Sequence, residues 1–173
     1  MSVLCVDTII NFDTKDALFK MFRTIISLLI ALVAAVLIGA FQIVGLGADA
    51  AIALFTTGDV QTNLMTTGGA IFNGLLRPYT SAIGGGYAPL VALGVAGFVS
   101  GLISKSGVRM FFVSIISLVL FFLGFWLLYL SGGVTDFSAM FGQIQLMAID
   151  LGVSFGLLFV PGIIGASLTA EDY

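Results

Sequence analysis

Polar and apolar positions along this chain sort into long blocks and do not alternate. From Thr24 to Leu46 no charge interrupts a run of 23 residues. At 1.5 Å per residue this run crosses a hydrocarbon layer of ~30 Å, so it predicts a first transmembrane helix over residues 24–46. Residues 80–103 are likewise free of charge and predict a second span. Its entrance holds Gly84-Gly85-Gly86 and Pro89, which loosen the first turns or form a loop ahead of the helix. Residues 110–130 predict a third span, rich in Phe, with Trp126 and Tyr129 at its far end, where amphipathic rings favour the headgroup level. A fourth lies within residues 140–168. Gln143, Gln145 and Asp150 make its first turns polar, leaving residues 151–168 as the lipid-grade stretch, which Pro161 should kink.

The intervening segments differ from one another. Residues 1–23 mix Asp7, Asp13, Lys15, Asp16, Lys20 and Arg23 with apolar side chains. They read as an interfacial lead-in, with Thr14 as the cap of a short helix running into the first span. Residues 47–79 carry Asp49, Asp59, Gln61, Asn63, Asn73 and Arg77, too polar to span while facing lipid. Within them Val60, Leu64, Ile71 and Leu75 recur near helical spacing, which predicts an amphipathic helix over 59–76, lying on the interface or dipping into it, with Gly68-Gly69 a place where it could break. Residues 169–173 form a short tail. A cleavable leader ending at Ala48-Asp49-Ala50 competes for the first run, but that run exceeds the usual ~7–15 apolar residues. The fold class expected is therefore all-α: one domain, an integral membrane bundle of four transmembrane helices plus an outer-side interfacial or re-entrant helical segment.

Composition reinforces this reading. Of 173 residues 60% are hydrophobic and 9% charged, against about 25% charged in a soluble domain, and the mean hydropathy is +1.20. The net charge of −3 comes from scattered single groups, so there is no basic stripe for nucleic acid. Cys5 is the lone cysteine and histidine is absent, which removes internal disulfides, thiolate clusters, imidazole ligation and the commonest general base. No metal, no cofactor and no catalytic residue is expected, and an enzyme is not.

The few cations sort to one side. Lys15, Lys20 and Arg23 precede the first span and Lys105 and Arg109 join the second to the third, whereas the alternate side holds only Arg77. Basic loops stay cytoplasmic, so both termini are expected there, in a cell (inner or plasma) membrane.

Small residues recur at four-residue spacing: Ser27, Ala31, Ala35 and Gly39; Gly97 and Gly101; Ala148, Gly152 and Gly156. Such ridges let helices approach closely, either within the bundle or against another subunit. The third span has none and is expected to face lipid. Asp150 is the ionisable residue most plausibly inside the membrane, where a carboxylate costs ~2.5–3.5 kcal/mol unless paired, hydrated or protonated. It is a candidate for ion or solute binding together with Gln143, Gln145 and Asn73, and Arg77 is its natural partner if the two segments meet. The plainer reading places Asp150 at a helix N-terminus, where the dipole favours it. Asp59, Gln61, Asn63, Thr66, Thr67 and Asn73 make a polar surface, read either as a vestibule or as solvated turns.

Gly85-Gly86-Tyr87, Gly124-Phe125-Trp126-Leu127 and Asp150 fall in an order that resembles the membrane substrate-binding components of biotin-type energy-coupling importers, over about the last half of the chain. That family usually has six spans and a lysine shortly after the aspartate, whereas no basic residue follows Arg109 here. The resemblance implies a solute carrier as an alternative function. The leading expectation is a small non-catalytic subunit scaffolding a larger respiratory, secretion or translocation assembly, with lipid and other transmembrane subunits or identical copies as partners. A channel or carrier using Asp150, and a self-assembling pilin- or holin-like protein, are the alternatives.

Overall fold

The computed structural model describes residues 3–56, 59–131 and 147–170, and every regular element among them is an α-helix. The first helix, α1 (Val3–Gln42), runs unbroken for 40 residues. Neither Gly nor Pro occurs in it before Gly39, so nothing in the backbone separates the lead-in from the span. The short helix expected to start at Thr14 is thus replaced by one that starts at Val3. The chain leaves α1 at Gly45, whose φ of +67° suits glycine, and then forms α2 (Ala48–Thr56).

The amphipathic helix expected over 59–76 is α3 (Val60–Leu76), capped by Asp59, whose carboxylate accepts the Gln61 amide. It passes through Gly68-Gly69 without a break. Ile71, Leu75 and Leu76 are buried, so α3 dips into the bundle and does not merely lie along its surface. The expected second span is shorter than its charge-free run. Residues 78–83 form a separate helix, α4 (Pro78–Ile83), and the long element is α5 (Ala88–Ser104), 17 residues. The glycines take the loop option, with Gly85 at φ +87°. Lys105, at φ 52°, closes α5 by donating its amide to the Gly101 carbonyl. The remaining helices are α6 (Gly107–Ser131) and α7 (Ala148–Leu168), and α7 continues through Pro161.

Among the described residues three stretches are long and apolar enough to cross a membrane: Met21–Gln42 in α1, Gly107–Leu128 in α6 and Ala148–Leu168 in α7, with Ala88–Ser104 a shorter apolar helix. Large apolar side chains point outward along them, including Val33 and Leu37 of α1, Val119 and Leu127 of α6, and Val160 and Ile164 of α7, each more than half exposed. An exterior of that kind is stable only in hydrocarbon. The protein is a helical membrane bundle.

Its short helix lies at the centre. α5 packs chiefly on α7 and α1, burying Ala92, Leu93, Ala96, Gly97, Ser100 and Gly101. Gly97 abuts the Leu158 backbone and Gly101 that of Gly162, so α5 and α7 run parallel. α6 does more than face lipid: it buries Met110, Val113, Ser114, Ser117 and Phe121 and packs against α3, α7 and α1. Phe111 of α6 meets Phe155 and Phe159 of α7 edge-on, with centroids 5.8 and 5.7 Å apart. The Ser27 hydroxyl donates to the Ser100 carbonyl at 2.8 Å. Arg23, one turn before Ser27, therefore shares an end of the bundle with Lys105 and Arg109, while α2, α4 and the N-terminus of α3 belong to the other end.

Candidate functional site

The residues singled out in the sequence separate into a polar junction and three ridges. The junction forms where α3 ends, because Arg77 (φ −123°, ψ 50°) leaves helical geometry and Pro78 then starts α4, its ring suited to a first helical turn. This break brings Thr80 against the first turn of α7. The Thr80 amide donates to Asp150 Oδ1 at 2.9 Å and its hydroxyl to Asp150 Oδ2 at 2.5 Å. α4 has no cap from its own flanking residue, so a carboxylate from a distant helix satisfies one of its orphan amides. One turn on, the Ser154 hydroxyl donates to the Leu75 carbonyl at 3.2 Å and to the Asp150 carbonyl at 2.9 Å. α3, α4 and α7 are thereby tied together through polar bonds in an otherwise apolar bundle.

Both sequence readings of Asp150 describe part of this geometry. It lies in the first turn of α7, as the helix-terminus reading expects, and it is only 3% exposed. Leu75 lies against Gly39 of α1, which places Ser154 near the end of that apolar stretch and Asp150 about one turn, ~5.4 Å, beyond. The carboxylate is taken up by Thr80 and not by Arg77, the partner that charge alone had nominated. Arg77 is half-buried and its Nε is buried without a hydrogen-bond partner among the described residues. Asn73 is exposed and makes no part of the junction. Gln143 and Gln145 lie outside the described residues. Of the polar outer surface, Asp59 serves as a cap, also accepting the Thr62 hydroxyl at 2.9 Å, and Thr66 donates back to the Thr62 carbonyl. These are local helix bonds of the solvated-turn kind.

The ridges part company. Ser27, Ala31, Ala35 and Gly39 are all buried, spaced one turn apart down a single face of α1. Gly97 and Gly101 are buried against α7, and a methyl group added at either would lie well inside van der Waals contact distance of a backbone carbonyl oxygen, that of Leu158 or of Gly162. The matching surface on α7 is Leu158, Gly162, Gly165 and Ala166, not the Ala148, Gly152 and Gly156 ridge nominated in the sequence. The signal for it was present, since Gly162 and Ala166 also stand four apart. Ala148 and Gly152 are exposed, Gly156 is half-buried, and among the described residues no atom lies within 4 Å of an added methyl at either glycine. Beside them Ile115, Leu118, Val119, Phe122 and Leu151 line an apolar groove of about 360 Å³ between α6 and α7.

Thr80, Ser154 and the Ser27–Ser100 bond were missed because hydroxyl residues are frequent in any chain and only the fold shows which carbonyl or carboxylate they reach. Comparison with family models, curated proteins and solved structures finds no match for this chain.

Proposed function

We propose that this protein is a small, non-catalytic integral membrane subunit that contributes a helix-packing surface to a larger assembly. The observation that carries the reading is the small-residue ridge on α7, which no other described helix covers. The ridges of α1 and α5 are consumed inside the bundle, whereas Ala148 and Gly152 are exposed, Gly156 is half-buried, and no described atom lies beside either glycine. A neighbouring transmembrane helix gains close backbone contact there, which lipid tails cannot reproduce.

The same geometry argues against the carrier alternative. A carrier would use Asp150 to hold cargo, yet in this structure each of its carboxylate oxygens already accepts a bond from Thr80, which cargo would have to displace or share. Orientation follows from Arg23, Lys105 and Arg109 sharing one end, which favours a cytoplasmic location for that end in a cell membrane and, with four helices crossing, for both termini.

The test is the mass and composition of the protein gently solubilised from its native membrane, for the wild type and for Gly152→Ile. The proposal expects foreign chains at fixed stoichiometry with the wild type and their loss from a still-folded G152I. A lone monomer with both proteins would overturn it, and a closed ring or filament of identical chains would transfer the ridge to self-assembly.

A further inference from the structure

Helix α4 is joined to the neighbouring described elements through a backbone break on either side. Arg77 breaks the backbone before it, and after it come Gly84, Gly85 at φ +87° and Gly86, a run with the conformational freedom a hinge requires. Between these breaks its apolar anchorage is slight: Pro78 is buried, whereas Tyr79 is 45% and Ile83 72% exposed. Beside its packing on α5 and α7, what ties it to the bundle is polar, the two hydrogen bonds from Thr80 to Asp150. Elements with few buried apolar contacts occupy the low end of a protein's local stability.

We infer that α4 is a hinged strap, latched at its first turn by the Asp150 carboxylate, which opens independently of the helices beneath it. The latch has two strands of unequal kind. The Thr80 amide caps α4 through Oδ1, and the Thr80 hydroxyl makes a second, charge-assisted bond through Oδ2. Ser154, which bonds the Leu75 carbonyl on the near side of the Arg77 break, holds α3 and not the strap. Lifting the strap therefore leaves α3 seated and the carboxylate open to water. The inference does not rest on the scaffold reading and survives if that reading falls.

Amide hydrogen exchange of the full-length protein in lipid nanodiscs tests it. The reporters are the amide of Thr80, whose acceptor lies off the strap, and those of Ser81, Gly84, Gly85 and Gly86, bonded to Arg77 or within the strap and freed because so short a helix frays once unlatched, compared with those of α5 and α7. In the wild type they exchange at least about tenfold faster than α5, because the strap opens without the bundle. Asp150→Ala accelerates them by about a further tenfold and leaves α5 and the body of α7 unchanged. Asp150→Asn, whose carbonyl still accepts the Thr80 amide, accelerates them less. Strap amides exchanging in step with α5 in the wild type, or an Asp150→Ala effect spread evenly over the bundle, would overturn the latch. Should Asp150→Ala fail to fold, Thr80→Val removes only the hydroxyl strand, and the absence of any acceleration confined to these amides would overturn it equally.

Discussion

At the scale of single residues, the most decisive positions are glycines whose environments differ although their sequence context does not. Gly101 faces the backbone of Gly162, and neither backbone can yield without separating two helices. Gly101→Ala should therefore lower the stability of the detergent-solubilised protein by about 1–3 kcal/mol, an overpacking cost, read as the midpoint of thermal or denaturant unfolding. Gly152→Ala meets no described atom within 4 Å and should raise stability by up to about 1 kcal/mol through helix propensity. Equal effects at the two sites would contradict the packing described. Four-residue spacing in the sequence found both glycines but could not rank them, because a helix carries small residues on more than one face and only the neighbour's identity tells which is occupied. Asp150 was legible for the complementary reason: a carboxylate beside an apolar run is conspicuous. Thr80, its partner 70 positions away, was not, since long-range pairing leaves no local signature.

Among elements, α5 and α3 explain each other. With 17 residues α5 spans about 25 Å, short of a ~30 Å core, and it lies between α1 and α7 where it has little need to match lipid. The space beyond its first turn is taken by the α3–α4 excursion, whose Leu75 and Leu76 are fully buried. The charge-free run 80–103 could not reveal this, since a glycine-rich loop and a helix can both be free of charge; the triple glycine and Pro89 were the local clue. α3 was better marked, by a period of apolar residues and an acidic residue in the capping position. Asp59→Ala removes that cap and should cost about 1 kcal/mol, seen as faster amide exchange at the start of α3 with α5 and α7 unaltered. On the buried face of α1, Ser27→Ala forfeits one interhelical hydrogen bond and should cost about 0.6 kcal/mol. Ser27→Val forces extra volume against Ser100 and should cost more, about 1–3 kcal/mol. The difference between the two unfolding midpoints checks that α1 and α5 touch at this level.

For the whole molecule, the account rests on an asymmetric bundle. Arg23, Lys105 and Arg109 mark one end, and the other is closed by a helical segment that enters and returns on the same side. Composition and charge order made the membrane setting legible, because hydrophobic blocks and sorted cations are properties of the chain itself; the re-entrant path is a property of how α3 packs. The direct measurement is labelling of single cysteines, in a Cys5→Ser background, by a membrane-impermeant thiol reagent applied to sealed vesicles of known orientation. Cysteines at positions 23 and 105 should react from one face, and cysteines at 59 and 83 from the other. Reaction of position 59 from the same face as 105 would mean that α3 crosses the membrane and would contradict the account, as would positions 23 and 105 reacting from opposite faces.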